Sequence, residues 1–236
     1  MKPTRNLLLL VLLFPALAFA ELKEEPLITD RPDTAESSKV VGKYRLQLET
    51  SFAFGHNDDN ATITRTYNFP TLVRFGLLPW LELRAESALD PSDFTDIAFG
   101  FKAHALDNEG WTPSMGVLLH WTSDTSEPLL KWLNDWKLPA DFALGTNVGF
   151  DVPARNFLYA GTVGHPVIFI SDRLNTFVEV QGVVPVESTD SDAHTFDTGL
   201  TFLVTPDIQL DTFVQIGLVE AATDVTAGIG FSWRAL

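Results

Sequence analysis

The chain of 236 residues carries 16 Lys and Arg against 31 Asp and Glu, a formal charge of −15, with 45% hydrophobic residues and no cysteine. The acid excess argues against nucleic acid as a partner, because phosphates would repel it. Without cysteine there are no disulfides, thiolate metal sites, cysteine nucleophile or lipoprotein anchor.

In chain order, Lys2 and Arg5 precede the apolar run Leu7 to Phe14, and Ala18-Phe19-Ala20 offers small residues for cleavage. Leu7 to Ala20 is shorter than the about 20 residues a membrane-spanning helix requires. Residues 1–20 therefore read as a signal peptide, with Glu21 the first mature residue and the protein exported. Residues 21–43 form an N-terminal segment holding Asp30-Arg31-Pro32-Asp33, too charged and too interrupted by proline for a spanning strand.

From residue 44 onward the pattern has period two. Leu46, Leu48, Thr50, Phe52 and Phe54 alternate with Arg45, Gln47, Glu49, Ser51 and Ala53. Leu81, Leu83 and Ala85 alternate with Glu82, Arg84 and Glu86, and Ile97, Phe99, Phe101 and Ala103 with Gly100, Lys102 and His104. At the C-terminus Val225, Ala227, Ile229, Phe231 and Trp233 alternate with small or polar residues. Extended chain puts successive side chains on opposite faces, so each segment is a strand with one greasy and one polar face. The predicted strands are 44–54, 63–76, 80–89, 96–106, 111–121, 127–137, 141–150, 157–168, 174–183, 194–204, 208–217 and 225–234. Residues 127–137 fit a short helix as well; an even strand number, needed to bring both termini to the periplasmic side, favours the strand.

Alternation alone suits a soluble sandwich or lipocalin-like barrel, with the apolar face as core, or a membrane barrel, with the apolar face toward lipid. Three features favour the membrane. The signal peptide permits export, and the polar face combines glycine with Arg, Lys, His and carboxylates. Short turns such as Leu77-Leu78-Pro79 and Thr205-Pro206-Asp207 also contrast with longer polar connections at Gly55–Ala61 and Pro185–Asp192. The predicted fold is an all-β, antiparallel transmembrane β-barrel of about twelve strands over residues 44–236, of bacterial outer-membrane type. Outer-membrane lipid, lipopolysaccharide and the barrel-assembly machinery are its implied partners.

A charge on the lipid face costs about 2–4 kcal/mol at the midplane for Arg or Lys. The candidate lumen residues are therefore Arg45, Glu49, Glu82, Arg84, Glu86, Lys102, His104, Glu179, Asp197 and Asp211. They make either a selectivity constellation or a mutually neutralising filling of a narrow barrel. Residues 28–38, with Asp30, Arg31 and Asp33, are expected to fold back into the periplasmic mouth as a plug, Arg31 pairing with Glu49 or Glu179. Trp80, Trp111, Trp121, Trp132, Trp136 and Trp233 fall near predicted strand ends more often than in mid-strand, which suits interfacial girdles, with ordinary core packing as the alternative.

No Gly-x-Ser-x-Gly elbow and no His-Glu-x-x-His motif occurs. An outer-membrane lipid hydrolase needs a serine and a histidine on the lipid-facing side, whereas Ser114, His104 and His120 point inward by parity. No catalytic residue, metal ligand set or cofactor is predicted.

Ile28-Thr29-Asp30-Arg31-Pro32-Asp33-Thr34-Ala35-Glu36-Ser37 followed by Arg45-Leu46-Gln47-Leu48-Glu49-Thr50 resembles the opening of the outer-membrane family labelled "MetA-pathway of phenol degradation". The likeness continues through Leu81–Arg84, Leu144–Phe150, Phe177–Gly182, Thr195–Leu200, Pro206–Asp211 and Gly228–Ser232, in the same order along the chain. The usual C-terminal aromatic is absent, since the chain ends Arg234-Ala235-Leu236. The resemblance implies an outer-membrane channel passing small organic solutes, hydrophobic and aromatic ones included. The alternative is a structural or ligand-binding barrel without transport.

Overall fold

The computed structural model describes residues 25–58, 62–87, 97–122, 128–152, 155–168, 170–186 and 190–235. The predicted signal peptide, and parts of the Gly55–Ala61 and Pro185–Asp192 connections, lie outside these residues.

The described residues form the strands β1 (Leu46–Asp58), β2 (Ile63–Asn68), β3 (Thr71–Leu78), β4 (Leu81–Ser87), β5 (Ile97–Leu106), β6 (Ser114–Thr122), β7 (Pro128–Lys137), β8 (Ala143–Asp151), β9 (Asn156–Pro166), β10 (Leu174–Pro185), β11 (Ala193–Thr205), β12 (Ile208–Gly217) and β13 (Val225–Ala235). β2 and β3 both pair with β1 and are two halves of one barrel strand. The break falls at Phe69-Pro70, where proline has no N–H for the ladder. Every other strand pairs antiparallel with its chain neighbours, and β13 returns to β1 in a continuous register from Leu46↔Ala235 to His56↔Val225. The result is a closed barrel of twelve strands, in which β2 alone is paired on one side only among the described residues. Residues 128–137, for which a helix was the alternative, are the strand β7, paired along both sides with β6 and β8.

Both termini leave at the same end, because Leu46 stands opposite Ala235. The two-residue turns after β3 and β11 also lie there, as expected, but the rhythm is incomplete. Residues 107–113 and 167–173 at that end are as long as the 218–224 connection at the other.

Burial is inverted relative to a water-soluble protein. The large side chains with no exposure include Arg74, Lys102, Gln47, Glu49 and Glu82, whereas Phe99 is 53% and Ile229 64% exposed. Along β1 the odd positions from Gln47 to Gly55 are buried, and their even neighbours form the outer, apolar face. A backbone whose hydrogen bonds are all satisfied in a closed ladder can stand in hydrocarbon, and the apolar outer face then meets acyl chains. Trp80, Trp111, Trp136 and Trp233 gather at the end bearing the termini, where Trp136 Nε1 donates to the Trp111 carbonyl at 3.1 Å. Trp132, by contrast, is in mid-strand, opposite Val117 and Val148.

Candidate functional site

Residues 25–44 do not join the sheet. They enter the lumen at the end bearing the termini, where Leu27 N donates to the Pro206 carbonyl (2.8 Å), and leave at the same end, where Tyr44 N donates to the Gly76 carbonyl (2.6 Å). Between these points the segment has no regular structure, so its amides need partners from elsewhere. The wall supplies them with side chains. Glu49 Oε2 accepts from Asp30 N (2.9 Å), and Glu179 accepts from Thr34 N (2.8 Å) and Ala35 N (2.7 Å). Asn147 Oδ1 accepts from Glu36 N (2.7 Å), Asp135 Oδ2 from Ser38 N (2.7 Å) and Glu82 Oε2 from Val41 N (2.9 Å). Wall donors take the segment's carbonyls in return: Arg74 those of Ile28 and Lys39 (3.1 Å each), and Lys102 that of Ser37 (2.8 Å).

Charge follows the same plan. Asp30 Oδ2 stands 2.5 Å from both Arg84 Nη1 and Lys102 Nζ and 3.4 Å from Arg74 Nη1. Arg74 also binds Glu49 (2.8 Å) and Glu82 (2.9 Å), while Glu36 is held by Arg84 (2.9 Å) and Lys131 (2.8 Å). Four cations, Arg74, Arg84, Lys102 and Lys131, thus face four carboxylates, Asp30, Glu36, Glu49 and Glu82. Two of those acids come from the segment. Burial raises the Asp30 carboxyl, but Arg74, Lys102 and Arg84 outweigh it and hold Asp30 below the ordinary carboxylate range. Burial opposed by Arg84 and Lys131 leaves Glu36 well below that range. Asp33 goes the other way: burial and the neighbouring Glu179 carboxylate push it well above.

The wall is shaped for the segment at two glycines. A Cβ on Gly76 would lie 1.6 Å from the Gly42 carbonyl oxygen, and one on Gly116 2.8 Å from that of Ser38. Any larger residue there would collide with the segment's backbone.

Toward the opposite end the segment floors a cavity of about 400 Å³, walled by Glu86, Lys131, Asp197, Phe213 and Gln215. This vestibule reaches Thr66 and Thr226, near the far ends of their strands.

The residues singled out from the sequence are distributed as follows. Glu49, Glu82, Arg84 and Lys102 meet in the central network with Asp30. Glu179 and Asp197 face one another across β10 and β11, with Asp33 beside Glu179. Glu86 lines the vestibule, 3.7 Å from His120. His104 stands apart, 3.2 Å from the Ser38 carbonyl and 3.3 Å from Asp107. Asp211 is buried on β12, and Arg45 is partly exposed just before β1, outside the network.

The expected pairing of Arg31 with Glu49 or Glu179 does not form. The oxygens of both carboxylates are already taken up by the segment's own amides and, at Glu49, by Arg74 and Gln47. The Arg31 guanidinium instead lies 6.0 Å from the centre of the Phe213 ring. Sequence reasoning also passed over Arg74, Gln47, Glu36, Lys131, Asn147 and Asp135. For Arg74 the signal was present: it is a lone cation at an inward position of an otherwise largely apolar strand.

Fold and lumen together define an outer-membrane β-barrel of porin-like architecture with an N-terminal segment inside it. The chain belongs to the family described as "MetA-pathway of phenol degradation", whose pattern matches residues 29–235. Among solved structures it is similar to the NanC porin, with TM-score 0.56 and 13% identity over 80% of this chain and 98% of that one. It is similar also to the KdgM porin, with TM-score 0.56 and 9% identity over 78% and 98%. No curated protein matches the chain. At these identities the two porins establish the fold alone.

Proposed function

We propose that the protein is an outer-membrane channel for the passive passage of small organic solutes, and that residues 1–20 are removed on export. The carrying observation is the polar vestibule of about 400 Å³ inside a closed twelve-strand barrel, large enough for a small molecule. The family's description brings aromatic compounds into the range of solutes to be tried. The lumen charges would then set selectivity. Outside the balanced network, the vestibule's wall retains the acidic Glu86 and Asp197. An open channel is therefore expected to pass K⁺ severalfold better than Cl⁻, read as the reversal potential under a KCl gradient. A preference for Cl⁻ would contradict this assignment.

A second reading, a structural or ligand-binding barrel without transport, draws on the filling of the lower lumen by residues 25–44. Swelling of proteoliposomes in sugars, amino acids and aromatic acids separates the two. Solute-dependent swelling supports the channel, and its absence with every solute supports the second reading. A hydrolase reading has less support: the Ser114 hydroxyl is inside the barrel, 2.8 Å from that of Ser38.

A further inference from the structure

Resting on the channel reading, we propose that residues 28–41 are a gate, which closes the lumen as seen here and opens it by withdrawing toward the end bearing the termini. Topology permits this movement. The segment enters past Pro206 and exits past Gly76 at one end of the barrel, so it is a loop pushed in from that end and can retract without unthreading. The barrel does not depend on it: β13 closes on β1, and none of the strand pairings that close the barrel involves the segment. From Asp30 to Val41 its amide contacts with the wall go to side chains, which can re-form hydrogen bonds with water in an open lumen. Part of the network also stays behind intact: Arg74 would still face Glu49 and Glu82, and Arg84 would still face Glu82.

Asp30 is the keystone, because three wall cations converge on its carboxylate. A latch toward the end bearing the termini is Ser38, whose hydroxyl lies 2.8 Å from that of Ser114 near the start of β6. The chain has no cysteine, so a Ser38→Cys, Ser114→Cys double variant can form one disulfide and no other. In planar bilayers the oxidised variant should be almost silent, and reduction should restore the openings of the unmodified protein. Asp30→Asn, which weakens the keystone without shortening it, should raise the open fraction about tenfold or more, since charge-assisted hydrogen bonds are among the strong ones. Equal conductance before and after reduction would overturn the gate, because solute would then pass with the segment fixed. If the reduced variant, Asp30→Asn and a variant lacking residues 28–41 all fail to conduct, the channel reading itself falls.

Discussion

Arg74→Met is expected to destabilise the folded barrel by about 3–5 kcal/mol, the cost of removing one member of a buried ionic network. Arg74 has no exposure and contacts three carboxylates, Asp30, Glu49 and Glu82. Methionine fills much of the volume but leaves three buried anions with too few cations. Lys102 and Arg84 relieve Asp30, but no other cation pairs with Glu49 among the described residues. The urea midpoint of the compact, heat-modifiable form on gels reads the loss. Lys39→Ala is the control: among the described residues the Lys39 ammonium pairs only with the exposed Asp107, and exposed pairs are worth about 0–1 kcal/mol. Equal midpoints for the two variants would show that the central network is not a stabilising unit.

Ile229→Arg should cost about 2–4 kcal/mol, the penalty of an arginine at the bilayer midplane. Ile229 sits in the middle of β13, opposite Phe52 and Thr212, and is 64% exposed. In a water-soluble protein so exposed an isoleucine would accept arginine within about 0.5 kcal/mol. The substitution thus separates the two environments by sign and size. Unfolding in lipid vesicles is the measurement, and a neutral result would place this face in water.

The barrel was readable because strand geometry writes itself into sequence as alternation. Leu46 to Phe54 and Val225 to Trp233 show it in pure form, and the structure pairs those two segments to close the barrel. The break between β2 and β3 left only Pro70 as its trace, a residue that also occurs at ordinary strand edges. The lumen was read in part. Glu49, Glu82, Arg84 and Lys102 were legible as charges at inward positions, whereas Arg74, between Val73 and Phe75, looked like one polar residue in an apolar strand. The contacts of residues 28–41 were hidden for a different reason. Most join backbone amides, which every residue carries, to wall carboxylates far away in the chain, and no periodicity records them. For the same reason Arg31, the evident cation of the segment, drew attention to Glu49 and Glu179, whose oxygens the segment's amides had taken. Asp30, its neighbour, carries the charge contacts instead.

Which face of the sheet meets lipid can be measured directly. Single cysteines at Phe99 and Ile229, unique in this chain, would carry nitroxide labels in reconstituted vesicles. Relaxation by oxygen, which concentrates in hydrocarbon, should far exceed relaxation by a water-soluble nickel chelate at both positions. Relaxation dominated by the nickel chelate at both would place the apolar face in water and contradict the membrane barrel.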